Sequence, residues 1–416
     1  MSNNSYDKKI VGAIDIGSKN IICGIAMIDE IKSKIKLLGI SSLKSDGITK
    51  GSISNRHNLI EQLEKALSTA EKMATEKINN ITVSINGEHI RSINTQAAVA
   101  LNGKGSDKMR EERRVDSKDI KHVLNMAQAI TLPPDMSILH TFAQEYIVDT
   151  VQDIDNPLGL LGRRLETKVH LVTASTTAVK NIIECVEELG VKVDNLVFKP
   201  LASSLAILKD DEIKLGVTLV EIGFSNTTIA IFQGGSVKYS SVIPIGASSI
   251  TKDIAVMMQI SIEDAEKIKI KYGSAKASMS SEKLEVIIND DNISKISEYE
   301  LSEFIEARMQ EIFNLIIAKI NQAGIKDAMN YGMVLCGGGA QLRNIVILAN
   351  ETFDINARIG KINNADGIKD LAEEPIYSTL IGMLLWKLKS KEYIINEELS
   401  LFNYIKKIFE SIKNSF

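Results

Sequence analysis

Ile14-Asp15-Ile16-Gly17-Ser18-Lys19 and, far downstream, Val220-Glu221-Ile222-Gly223-Phe224-Ser225-Asn226-Thr227 share one pattern. In each, an acidic residue stands two positions before a glycine at a turn between strand-like runs. Gly17 permits close backbone approach, Ser18 offers a hydroxyl, and Asp15 could hold a hydrated Mg²⁺ between phosphates. A third stretch, Leu335-Cys336-Gly337-Gly338-Gly339-Ala340, runs an apolar strand into a glycine triplet that opens a helix. Successive glycines leave bare backbone on which a base or ribose can lie, and a helix N-terminus favours phosphate. Any one of these turns is common in proteins that bind nothing. The three together point to a nucleotide site.

The surroundings repeat as well. Residues 9–26 alternate apolar and polar side chains across Gly17-Ser18, which predicts a hairpin, and residues 36–43 predict a third strand. Leu59, Leu63, Ala66, Leu67 and Ala70 fall at helical spacing within 57–75, and 80–85 predicts a fourth strand. The same order returns with strands over 214–222, 226–233 and 236–243, one turn being Gly234-Gly235. A helix over 301–322, a strand over 332–336, a helix from Gln341 and a strand over 356–359 follow. This predicts an internal duplication. Two stretches interrupt it. Residues 88–164 carry their own strand, helix and strand (90–101, 118–129, 137–149), with a charged, solvated connection over 103–114. Residues 247–302 form the second interruption, whose small, polar centre at 274–282 predicts a mobile loop.

Composition narrows the function. The 416 residues carry 49 Lys and Arg against 53 Asp and Glu, a net charge of −4, without the basic excess of a dedicated nucleic-acid binder. Three dispersed cysteines, Cys23, Cys185 and Cys336, read as buried thiols in a reducing compartment. The five histidines show no i, i+4 pair, so a histidine metal site is not expected. No run approaches the roughly 18–20 apolar residues of a spanning helix, and the polar start predicts no signal peptide.

The end of the chain carries a different signal. Leu401, Phe402, Ile405, Ile408, Phe409, Ile412 and Phe416 fall on one face of a helix, with Lys406, Lys407, Glu410, Lys413 and Asn414 on the other. Three aromatic residues, facing lysines and a charged stretch over 387–398 favour a helix lying in a membrane interface. One such anchor binds weakly and reversibly, so lateral self-association would lengthen its residence.

At these motifs the chain resembles the actin-like ATPase superfamily and, within it, the FtsA family of bacterial cell division. The resemblance includes Asn156-Pro157-Leu158-Gly159-Leu160 with Gly162-Arg163-Arg164, then Lys168-Val169-His170-Leu171-Val172-Thr173. It also includes Leu201-Ala202-Ser203-Ser204 and Glu374-Pro375-Ile376-Tyr377-Ser378-Thr379. It implies an α/β, actin-like duplicated two-domain fold with strand-strand-strand-helix-strand-helix halves, an inserted subdomain in the first half and a C-terminal amphipathic helix. The expected divisions are 9–87 with 165–196 (first core half), 88–164 (insertion), and 197–246 with 303–386 (second core half). Residues 247–302 form the second-half subdomain, 387–400 a linker and 401–416 the membrane helix.

The resemblance also implies ATP with Mg²⁺ as ligands. The candidate binding residues are Asp15, Gly17, Ser18, Lys19, Glu221, Gly223, Asn226, Thr227, Gly337, Gly338 and Gly339, with Asp15 and Glu221 toward the metal. Glu266 and Lys269, one turn apart on a helix, would lie near the nucleoside. No catalytic residue is assigned. The implied partners are the tubulin-like FtsZ through the second-half subdomain, further copies of the chain, later divisome proteins and the cytoplasmic face of the inner membrane at the division site. Relatives usually read Asp-Ile-Gly-Gly-Gly-Thr at the second turn. Here Glu221 replaces Asp, and Phe224, Ser225 and Asn226 replace Gly, Gly and Thr. Nucleotide binding is therefore expected and efficient hydrolysis is not. The alternative is a soluble small-molecule kinase of the same superfamily, but no positioned base is identifiable for it.

Overall fold

A computed structural model describes residues 9–101, 112–286, 296–325, 329–363, 365–367 and 374–393. The expected membrane helix at 401–416, residues 394–400 of the expected linker and residues 103–111 of the charged connection lie outside the described residues.

Apolar runs on either side of Gly17 form β1 (Lys9–Ile16) and β2 (Asn20–Asp29), an antiparallel pair with Asp15 opposite Ile22. Strand β3 (Lys34–Lys44) continues the meander. Helix α1 (Arg56–Ala74) starts where the Asn55 side chain accepts a hydrogen bond from the Asn58 amide, satisfying one of the free N–H groups of a helix start. It buries Leu59, Leu63, Ala66, Leu67 and Ala70, the face the spacing predicts. Strand β4 (Asn80–Ile85) then lies parallel to β1.

The insertion contains β5 (Arg91–Ala100), α2 (Ser117–Gln128), β6 (Met136–Val148), β7 (Val151–Ile154) and β8 (Arg164–Ser175). Its sheet runs in the order β7-β6-β8-β5. This corrects the expected boundary at 164/165: β8 pairs on both sides within the insertion. The first half resumes only at α3 (Thr176–Glu187) and β9 (Lys192–Phe198), which lies parallel to β4. Alternation marks which face of a strand is buried, but not which sheet supplies its neighbours.

After α4 (Lys199–Ile207), the second half opens with β10 (Val217–Ile222), β11 (Thr227–Gln233) and β12 (Ser236–Ile243). Residues 214–216, expected in that first strand, instead end a short helix, Asp210–Leu215, and its cap. Helices α5 (Ala247–Met258), α6 (Ile262–Tyr272) and α7 (Glu298–Ala323) follow. Then come β13 (Met333–Cys336), α8 (Ile345–Phe353) and β14 (Ala357–Ile359). The helix expected from Gln341 is a 3₁₀ turn, Gly338–Gln341, with α8 beginning later. The expected mobile loop at 274–282 is packed in its first part: Ser274, Ala275 and Ala277 are buried, and Lys276 pairs with Glu306 at 2.9 Å and Glu351 at 2.8 Å, while Met279 is exposed.

The duplication is visible in the sheets. Among the described residues the second sheet runs β12-β11-β10-β13-β14, while the first contains β9-β4-β1-β2-β3. In both, the first strand is central, with an antiparallel meander on one side and two parallel strands on the other. The chain then crosses back: β15 (Ala365–Asp366) pairs with β3, and α9 (Ser378–Tyr393) packs on α4, β1 and β2. Residues 365–367 and the helix from Ser378 therefore pair and pack with strands of the first half, not only the second, and the expected linker is still helix through Tyr393. A Cβ on Gly382 would lie 1.7 Å from the Ala202 carbonyl oxygen, so α9 and α4 meet backbone to backbone. Cys23, Cys185 and Cys336 are buried free thiols.

Candidate nucleotide-binding site

The two acid-x-Gly turns have the same local geometry. The Gly17 amide donates to the Asn20 carbonyl at 3.0 Å, and the Gly223 amide to the Asn226 carbonyl at 2.9 Å. In each turn a Cβ on the glycine would stand within 2.8 Å of that carbonyl oxygen, which explains the residue type. The turns end β1 and β10, the equivalent central strands of the two halves. They face one another closely enough for the Ser225 hydroxyl to donate to that of Ser18 at 2.7 Å.

Between them lies a cavity of about 260 Å³. It brings together Asp15, Gly17, Ser18, Lys19, Glu221, Gly223, Asn226, Glu266, Lys269, Gly337, Gly338 and Gly339, together with apolar Ile250, Ile270, Leu342 and Ile376. Thr227 is not brought to it. Side chains alternate along a strand, and the Thr227 hydroxyl donates instead to the Ile245 carbonyl at 2.8 Å. The glycines of the triplet have separate reasons. Gly337 has φ +81, and a Cβ on Gly339 would come within 2.3 Å of Ile222 Cγ2. A Cβ on Gly338 would meet only Ile376, at 3.8 Å, so Gly338 alone opens onto free space.

Charges cross the cleft. Lys19, on the first turn, donates to Glu266 on α6. Glu266 also pairs with Lys269 at 2.6 Å and accepts from the Thr251 hydroxyl. Burial alone would raise the Glu266 pKa, but Lys269, Lys19 and Thr251 together hold it down to about 2. Lys269 is lowered by burial against the pull of Glu266, and donates to Thr251 Oγ1 at 2.8 Å.

Sequence reasoning missed Lys199. It opens α4, every residue of which is buried, and its ammonium stands 2.7 Å from Asp15 Oδ1. Burial works against the charged lysine, yet Asp15 and Glu221 carry its pKa above the usual value. The signal was available: a lone cation heading an otherwise apolar or small-residue helix has to be paired once it is buried.

The carboxylates expected to serve Mg²⁺ already have protein partners, Asp15 through one oxygen and Glu221 through both. Asp15 Oδ1 is taken by Lys199 and by the Ser84 hydroxyl at 2.6 Å. The two oxygens of Glu221 accept from Thr379 at 3.1 Å and Ser203 at 3.2 Å, and burial raises its pKa. Among the described residues no cluster of three or more His, Cys, Asp or Glu could hold a metal. One cavity-lining acceptor, Asn226 Oδ1, is buried without a partner.

Two duplicated α/β halves, closed around a cleft by paired glycine turns and a glycine triplet, define a protein of the actin-like ATPase fold. Solved structures agree. The PilM–PilN type IV pilus biogenesis complex aligns at TM-score 0.64 and 14% identity, over 91% of this chain and 98% of the other. MreB5 of Spiroplasma citri bound to ADP aligns at TM-score 0.53 and 13% identity, over 92% and 97%. At such identities the likeness speaks for the fold alone.

Sequence relatives go further. The profile described as cell division protein FtsA matches residues 218–382, and that of the SHS2 domain inserted in FtsA matches 87–173. The cell division protein FtsA of Pseudomonas aeruginosa is 36% identical over 94% of this chain and 92% of its own length. That of Escherichia coli K12 is 33% identical over 94% and 93%. The chain belongs to the FtsA family of cell-division proteins.

Proposed function

We propose that this cell-division protein binds ATP in the cleft and acts as a self-associating scaffold tying the FtsZ ring to the membrane. The observation that carries the nucleotide reading is the pair of equivalent glycine turns facing one another across a cavity that Gly338 also lines. Family membership supports FtsZ, further copies of the chain and later divisome proteins as partners. The MreB5 relatives, described as bound to ADP and to AMPPNP, support the choice of an adenine nucleotide.

The apolar face from Leu401 to Phe416 supports a peripheral anchor on the cytoplasmic side of the inner membrane at the division site. No helix among the described residues is long and apolar enough to cross a membrane. ATP serves this scaffold as an assembly or conformational switch. The kinase alternative needs a free general base. The three acids lining the cavity are all engaged, Asp15 by Lys199, Glu221 by two hydroxyls and Glu266 by two lysines.

Flotation with anionic liposomes, with and without ATP, tests the reading. The full chain is expected to float, and deletion of 401–416 or Phe409→Glu with Ile412→Glu to abolish flotation while ATP binding persists. Equal flotation of the truncated chain would refute the anchor. Phosphate transfer from ATP to a sugar would restore the kinase.

A further inference from the structure

The buried lysine at the head of α4 has no role in the reading above. Lys199 is 8% exposed, lines the cavity and comes from the junction where β9 passes into α4, between the two halves. Its ammonium is 2.7 Å from Asp15 Oδ1 and 3.7 Å from the point a Cβ on Gly17 would occupy. It therefore sits directly under the first phosphate turn, with the charge of Glu221 also acting on it.

We propose that Lys199 is a built-in counter-cation of the cleft, so that a nucleoside polyphosphate binds there without a divalent metal. This rests on the nucleotide reading and deepens it. A polyphosphate entering a cleft already lined by Asp15, Glu221 and Glu266 needs cationic compensation, commonly supplied by Mg²⁺ with near-octahedral oxygen ligands. Here the ammonium already stands on the metal-facing acid. A divalent ion brought to Asp15 would meet a buried like charge a few ångströms away, in surroundings that screen it poorly. Glu221 is no substitute ligand, because its two oxygens are held by Ser203 and Thr379. A lysine charge fixed under the turn is present before the ligand arrives and needs no ordered water shell. Lys19 adds a second cation at the first turn: its side chain is partly exposed and paired with Glu266.

The test is calorimetric titration of the full chain with ATP, in excess Mg²⁺ and again in excess EDTA. The wild type is expected to bind with affinities within about threefold of each other. Lys199→Gln, which frees the Asp15 carboxylate, should lose at least about tenfold in EDTA and regain most of it in Mg²⁺. Lys199→Arg should keep the metal-independent pattern. Melting curves establish that each variant is folded, and the wild-type pair of titrations stands without them. Binding by the wild type in Mg²⁺ that falls tenfold or more in EDTA would overturn the role of Lys199 and leave the nucleotide site standing. Absence of binding in both media would overturn the site and this inference with it.

Discussion

Gly338→Asp offers the sharpest test of the cleft, because the structure separates binding from folding at this position. A side chain at Gly338 meets only Ile376, in ordinary van der Waals contact, and the residue is not held at positive φ. The fold should therefore accept it, and the melting temperature should stay close to that of the wild type. The carboxylate would enter a cavity of about 260 Å³ and face the ligand's phosphates. At an effective dielectric of about 20 and a separation of about 6 Å, one such repulsion costs about 3 kcal/mol, roughly a hundredfold in affinity. Gly339→Ala is the matched control. Its Cβ would press into buried Ile222, and overpacking of this kind costs about 1–3 kcal/mol of stability. Equilibrium dialysis with labelled ATP, run beside thermal melts, reads both quantities. A folded Gly338→Asp protein with ATP affinity within about twofold of wild type would refute the assignment of this cavity to nucleotide.

Gly382→Ala places a Cβ 1.7 Å from a backbone oxygen of α4, so it is expected to destabilise by about 3 kcal/mol or more, read by denaturant unfolding. Glu266 has a folded pKa near 2 against an ordinary 4.5, so its stabilisation is complete above pH 4.5 and is lost as pH falls toward 2. The stability gap between wild type and Glu266→Gln, at most about 3 kcal/mol, should therefore close across that window in urea melts at stepped pH. Turnover of ATP should be far below the roughly 1–100 s⁻¹ of kinases, because Glu221 is held by two hydroxyls and Phe224 lines the cavity where relatives usually have a glycine. Glu221→Asp with Phe224→Gly, Ser225→Gly and Asn226→Thr should raise phosphate release, and brisk release by the unmodified chain would refute this.

The local geometry of the site was legible in the chain itself. Each glycine turn closes on a hydrogen bond between residues three apart, and the buried face of α1 repeats every three or four residues. Such features are encoded in spacing, so their recurrence also disclosed the duplication. The halves' limits were not legible. Strand β8 has the alternation of any half-buried strand, and only its partners β5 and β6 assign it to the insertion. Strand β15 and helix α9 follow the second half in sequence yet join the first, β15 by pairing with β3 and α9 by packing on β1 and β2, with the close contact of Gly382 with Ala202 holding α9 to α4. Thr227 belonged to the motif by position, but strand alternation turned its hydroxyl away from the cavity. Lys199 had the opposite fate. Nothing near it in sequence names Asp15 as its partner; tertiary closure buried the lysine beside that carboxylate, and a buried charge must find an opposite one. Spacing thus determined where phosphate could meet backbone. Which side chains share the cleft, and which cation balances it, was decided by packing distant segments together, since pairing between buried charges depends on proximity in space.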